Sequence, residues 1–399
     1  MPKKVRQIGV LSSEELLELV DEGRIINADD LDPRSLKRRI QPASIDLTLG
    51  TVAFRLQASF LPQPDNSVEA RMEDLVMYKL DLMQGAILEK GAVYLIPLNE
   101  ALRLPENIRG KTNPKSSTGR LDIFTRVITD HCTRFEEVTA GYSGKLYIEV
   151  VPRSFTIRVK TGQRLNQLRL FRVPTVDENV RHAEFFEAPG PHHYIGGPEL
   201  VDLYKRKKLL IGEDGEFIGA ARKHISGEGL LMSVDLSPSA SNGGPVGFKA
   251  KKNSHVVDLE KIGHYKAADF WEQIHNPKNG RLILEPEEFY IFASKERIRV
   301  PLSCAAEMVE FDSGSGELRT HYAGFFDPGF GFGKEGEVKG TKAVLEVRPH
   351  DVPFIIEDGQ ILFKMKYERM AERPGIWYGS EIGSNYHDQT LRLSKQFHK

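Results

Sequence analysis

Two short words decide the fold: Tyr147-Ile148-Glu149-Val150 and Val344-Leu345-Glu346-Val347. Each is an apolar, strand-like run that carries one carboxylate. Working outward from them, other words recur in the same order. Leu88-Glu89 and Pro105 return as Leu284-Glu285 and Pro301, and Gly162-Gln163 returns as Gly359-Gln360. Ser44-Ile45-Asp46-Leu47 returns as Ser233-Val234-Asp235-Leu236. Constant order at nearly constant separation is the mark of an internal repeat. The intervening stretches are short, alternating or apolar, and broken by Gly, Pro, Asn and Asp: 44–49, 93–97, 145–151, 156–159, 165–171, 290–293 and 361–367. That pattern predicts an all-β sandwich or barrel, present twice, with helices as trim. A helix is expected over 11–22, capped by Ser12 or Ser13, and a second over 267–274.

Composition narrows the function classes. The chain has 399 residues, 55 Lys+Arg, 56 Asp+Glu and a net charge of −1. No global basic field invites nucleic acid. The run Tyr204-Lys205-Arg206-Lys207-Lys208 reads as a solvated face rather than a phosphate site, and 237–252 reads as a loop. With 40% hydrophobic residues the chain folds, and no apolar run reaches the ~18 residues of a membrane helix. Cys132 and Cys304 are the two cysteines, too few for a disulfide framework or a Cys-rich zinc site. A reducing cytoplasm is the expected setting. His131, His192 and His193 have no ligand spacing and read as turn histidines; neither the constellation of a zinc nucleobase deaminase nor a G-x-S-x-G elbow occurs.

The stretch richest in chemistry is Lys111-Thr112-Asn113-Pro114-Lys115-Ser116-Ser117-Thr118-Gly119-Arg120. Pro114 and Gly119 bracket a turn that crowds hydroxyls, backbone N–H groups and two cations, which suits a polyphosphate. It lacks the spacing of a Walker A loop. For Glu149 and Glu346 two readings stay open. A carboxylate among apolar groups acquires a raised pKa and can carry a proton near neutral pH; a carboxylate at a sheet rim is held in a salt bridge.

Gln41-Pro42-Ala43-Ser44-Ile45-Asp46-Leu47, followed by Pro114-Lys115-Ser116-Ser117-Thr118-Gly119-Arg120, resembles the dCTP deaminase branch of the dUTPase superfamily. The likeness continues through Ile148-Glu149, the 162–171 strand, Asp327-Pro328-Gly329, Leu345-Glu346 and the C-terminal tail, and is nearest to the two-domain bacterial type. It implies a mainly β chain: a tandem duplication of a distorted jelly-roll-like β-barrel, with repeat 1 over 1–200 and repeat 2 over 201–399. It implies zinc-free hydrolytic deamination of dCTP to dUTP and ammonia, with Mg²⁺ carried on the triphosphate, in a cytoplasmic homo-oligomer that binds neither nucleic acid nor membrane.

Carried over by residue, the family pattern is split between the repeats. Repeat 1 keeps the phosphate loop: Ser116 as assisting hydroxyl, Arg120 as cation, Lys115, Ser117 and Thr118 as phosphate contacts. In repeat 2, Asp312 and Gly316 stand where Ser116 and Arg120 would be. Repeat 2 keeps the hairpin, with Asp327 and an Ala323 carbonyl to hold the water, the run Val344, Leu345 and Glu346, and a lid of Tyr378, Asn385 and Gln389. Repeat 1 has Thr139-Ala140-Gly141 and the bulky Phe135 there instead. The expectation is a composite site with Glu346 as proton carrier and Glu149 as the competing assignment. A dUTPase or bifunctional enzyme, with Asp327 as base at the α-phosphate, and a non-enzymatic nucleotide-binding module are the alternatives.

Overall fold

The computed structural model describes residues 7–27, 33–174, 193–219, 221–227, 229–237, 243–275, 277–311, 318–319, 324–380 and 390–398. The first helix runs Ser13–Asp21, and the cap is Ser12. Its hydroxyl accepts from the Glu15 amide at 3.3 Å while Glu15 returns a bond to the Ser12 amide at 3.1 Å, a reciprocal box that satisfies two otherwise orphaned donors.

In repeat 1 one sheet runs Gly9–Val10, Asn166–Arg172, Ile108–Pro114, Glu137–Val138. The other runs Val76–Asp81, Val52–Leu56, Val93–Arg103, Ser143–Pro152, Ile123–Thr129. Repeat 2 rebuilds the pattern around Tyr290–Ile298, which pairs with Thr341–Pro349, Gly247–Ala250 and Gly229–Asp235. All of these ladders are antiparallel, and apolar inward faces give each repeat a buried core.

The duplication is visible bond by bond. The Glu89 amide donates to the Tyr94 hydroxyl at 3.1 Å, and Glu285 to Tyr290 at 2.9 Å. Gln163 accepts from Lys160 N at 3.1 Å, and Gln360 from Glu357 N at 2.9 Å. One matched word is corrected by the same test. Thr48 binds Glu100 through amide and hydroxyl at 2.9 and 2.7 Å, and Ser233 binds Glu296 likewise at 2.9 and 2.6 Å. Thr48, not Ser44, is therefore the counterpart of Ser233. The Ser-x-Asp-Leu words match in letters alone, because Asp46 lies in a two-residue strand beside Gln167.

Three further expectations change. Residues 267–274 split into a turn of helix, Ala267–Phe270, and a strand, Trp271–Ile274. The Trp271 ring is held among Phe155, Phe289 and Phe397, and pairing with Gly247–Ala250 extends its backbone. That second strand also lies inside the expected 237–252 loop. The basic run is the last part of an unforeseen helix, Gly197–Lys207, whose Leu200, Leu203 and Tyr204 are buried while Lys205 and Arg206 are exposed. His131 is an exposed turn residue, but His193 is buried between Phe171 and Tyr194 at 4.8 and 4.2 Å. Burial and the surrounding cations push its pKa down to about 3, so it is neutral packing.

The two repeats interlock. Val257–Asp258 of repeat 2 adds a parallel strand to Ile157–Val159 of repeat 1, with Val257 N to Thr156 O at 3.0 Å and Leu259 N to Arg158 O at 3.1 Å. Val257, Leu259, Phe270, Trp271, Leu393 and Phe397 join the core that repeat 1 builds around Ile96 and Ile148. Among the described residues no helix is long and apolar enough to cross a membrane.

Candidate active site

Strand Ile108–Pro114 leads into a single helical turn, Ser116–Gly119. Pro114 favours extended backbone in the residue before it and cannot continue the ladder as a donor. Lys115 caps the turn, accepting at its carbonyl from Thr118 N at 2.8 Å and Gly119 N at 3.0 Å. Ser116 is exposed, while Ser117, Thr118 and Arg120 are buried. The Thr118 hydroxyl is spent on Leu165 O at 2.8 Å, so it braces the loop. The loop opens on a cavity of about 490 Å³ that also receives Arg38, Asp46, Arg164 and Lys395. Asp46 holds Lys115 on one oxygen and Arg164 on the other at 3.4 Å. Desolvation lowers the Lys395 pKa, and the facing cation Lys115 lowers it further. The ammonium groups thus converge from different segments on one space, the electrostatics of an anion site.

The two matched words part company at their carboxylates. Glu149 lies opposite Arg126 in the ladder and takes the salt-bridge reading: Oε1 accepts from Arg126 Nε at 3.0 Å and Nη2 at 2.6 Å. Arg126 in turn lies 3.6 Å from the centroid of the Phe135 ring and donates to Ser59 Oγ at 2.7 Å. Phe60, Leu61, Val68 and Met72 cover the same face. Glu149 is sealed. Glu346 takes the other reading. Burial raises its pKa to about 8; Arg120 of repeat 1 opposes that shift and Asp122 adds to it. Alternation on the strand puts Val344 on the Glu346 face, where it packs with the repeat 1 core, and turns Leu345 into the repeat 2 core. Leu345 therefore offers a ligand only its backbone.

The hairpin and tail approach the same loop. Asp327 is shifted up by burial and feels Arg169, Lys115 and Asp46; Arg169 Nη2 lies 3.5 Å from its Oδ1. Tyr378 N donates to Pro328 O at 2.8 Å, and its ring meets Phe330 at 5.1 Å. Further along, Ser394 Oγ donates to Ser117 O at 2.8 Å and Arg120 Nη1 to Arg392 O at 3.0 Å. Phosphate loop, hairpin, Glu346 and tail thus meet in one region. Ala323, Asn385, Gln389, Asp312 and Gly316 lie outside the described residues. Sequence reading passed over Arg38, Arg164 and Lys395. Asp46 stood inside a quoted motif, and that was the available signal.

Two family models match this chain, one in each half. The one described as 2′-deoxycytidine 5′-triphosphate deaminase (DCD) N-terminal domain matches residues 7–174, and its C-terminal domain matches 199–397. The crystal structure of 2′-deoxycytidine 5′-triphosphate deaminase from Agrobacterium tumefaciens is 40% identical, with a TM-score of 0.79, over 92% of this chain and 100% of that one. This chain belongs to the dCTP deaminase family. Curated members of the family resemble one half of it. The protein "dCTP deaminase, dUMP-forming" of Parafrankia sp. is 30% identical over 173 residues, 43% of this chain and 79% of its own length. The protein of the same name from Dictyoglomus thermophilum is 21% identical over 204 residues, 50% of this chain and 99% of its own. Family membership accounts for the twofold β architecture.

Proposed function

We propose that this protein deaminates Mg²⁺-bound dCTP to dUTP and ammonia at a site shared between the repeats. The observation that carries the reading is that Arg120 from repeat 1 and Glu346 from repeat 2 are both buried, close enough for the Arg120 charge to act on Glu346, while Glu149 is tied to Arg126. Glu346, as carboxylate, accepts a proton from water as its oxygen bonds to C4 of cytosine. The protonated Glu346 then gives that proton to N3. The proton of the new C4 hydroxyl then passes to the amine as the C4–N4 bond breaks, so ammonia departs and the uracil carbonyl forms. Ser116 and the Ala323 carbonyl orient the water. Arg120 places fixed positive charge beside the developing negative charge. Lys115 and Ser117, with Arg38, Arg164 and Lys395, bind the triphosphate; Thr118 braces them. Asp327 and the backbone at Val344 and Leu345 define the base and sugar pocket, with Tyr378, Asn385 and Gln389 as its lid.

The protein is further assigned to the cytoplasm as a homo-oligomer with no nucleic-acid or membrane partner; light scattering checks its assembly. The test of activity follows ammonia and pyrophosphate together on dCTP with Mg²⁺. Ammonia without pyrophosphate supports the reading. Both products would align the protein with the dUMP-forming relatives, and neither product would make it a binding module.

A further inference from the structure

Glu346 and Arg348 lie two residues apart on one strand, so their side chains leave the same face of the sheet. On the facing repeat, Arg120 and Asp122 are likewise two apart, where the chain leaves the phosphate-loop turn. The Arg348 guanidinium crosses between the repeats and pairs with Asp122 through Nη2. Both groups are buried. Ser154 Oγ donates to Asp122 Oδ2 at 2.6 Å, and Arg348 Nη2 lies 3.2 Å from the same hydroxyl. Arg348 Nη1 donates to Glu287 O and lies 3.7 Å from the Glu287 carboxylate. Asp122 sits at φ +55°, a conformation that Asp and Asn tolerate and most residues do not. Its amide donates to Gly119 O at 2.8 Å, and its carbonyl accepts from Arg153 N at 2.9 Å. The carboxylate is thus rigidly attached to the loop that carries Arg120.

We propose that Asp122 and Arg348 are a positioning pair for deamination: their bond fixes the phosphate loop against the Glu346 strand, and their opposed charges set the proton affinity of Glu346. This rests on Glu346 being the proton carrier. Among the described residues, the charged groups around Glu346 are Arg120 and Asp122 from repeat 1 and Arg348 on its own strand; Glu287 on the rim beyond lies 3.7 Å from Arg348 and 3.0 Å from Arg153. Asp122 acts on Glu346 in the direction that favours the protonated acid. Arg348 neutralises Asp122. Removing one partner therefore exposes Glu346 to the other, with opposite consequences. Ser154 hydrogen bonding and the φ of residue 122 survive in Asp122→Asn, so that variant changes charge more than shape.

The experiment compares Asp122→Asn, Arg348→Gln and the double variant with the unmodified protein. The pH dependence of kcat/KM for ammonia release reports the ionisation of the free enzyme. In Asp122→Asn the anion that favours the protonated acid is gone, and the acid limb moves down by about 0.5–1 pH unit. In Arg348→Gln, Asp122 relieved of the Arg348 charge moves it up by a similar amount. The double variant returns to within about 0.3 unit of the original position while kcat/KM stays about tenfold low, because the loop is no longer pinned. A purely structural pair would lower activity in both single variants with no opposed displacement, and that result overturns the proposal. A second readout needs no turnover: the pH at which Glu346 stops affecting unfolding stability, measured against Glu346→Gln, moves in the same two directions. Opposed movement there without ammonia release would overturn the proposed function and leave the electrostatic pair standing. No movement there overturns the pair.

Discussion

Residues 57–75 and 251–270 occupy corresponding places in the two repeats, each joining a strand that carries a matched phenylalanine. Phe54 faces Leu95 across its ladder, and Phe248 faces Ile291. The first loop folds back on its own sheet, and with Phe60, Leu61 and Ser59 it closes over Arg126 and Glu149. The second reaches away and places Val257–Asp258 on the edge of repeat 1. The same strand word thus ends as a sealed ion pair in one repeat and as a buried carboxyl facing Arg120 and Asp122 of the other repeat. Chemistry is set here by what covers a residue, since the residue and its strand are shared.

The sharpest way to break this comparison is to neutralise each glutamate. Glu346→Gln should lower kcat for ammonia release by about 10³-fold or more, the scale of a lost proton carrier on a reacting water. Glu149→Gln should stay within about threefold; a larger loss in that variant would move the site into repeat 1. Arg120→Ala should cost about 10²–10³-fold in kcat, the range for a lost donor at a developing charge. Lys115→Ala should act on binding, raising KM about tenfold with kcat nearly kept.

Smaller effects sharpen the contrast through stability. Glu149→Gln should destabilise by about 1–3 kcal/mol, read by urea denaturation, because it leaves Arg126 without its counter-charge. Glu346 should behave in the opposite sense at high pH. Its carboxyl stays protonated in the folded protein up to about pH 8, against an ordinary value of 4.5 in the unfolded chain. Between those values the folded state holds the extra proton, so its contribution is complete below pH 4.5 and fades as pH rises towards 8. Glu346→Gln should remove that slope, gaining on the unmodified protein from pH 5 to pH 8.

Much of this was legible in the sequence. The strands at 145–151, 165–171 and 361–367 emerge as Ser143–Pro152, Asn166–Arg172 and Ile361–Arg369, because alternation reports burial on one face directly. The two open readings of Glu149 and Glu346 each found an owner. Less legible was anything decided by a distant partner. Trp271 is a plausible helix residue until Phe155 and Phe397 surround it. Asp122 and Arg348 look like surface charges in one dimension, and only the docking of repeats brings residues 226 apart into one ion pair. The misplaced Ser44 word has a different cause: four letters of a common strand motif carry less information than the glutamate that hydrogen-bonds Thr48.

The parallel strand at Val257–Asp258 has an evolutionary consequence. A duplicated gene can ordinarily lose either copy and return to its ancestor. Once repeat 2 lent an edge strand and Phe397 to the interior of repeat 1, deletion of either copy exposed an open sheet edge and an apolar hole. Duplication then worked as a ratchet. The halves became free to shed redundant chemistry because neither could any longer be shed whole.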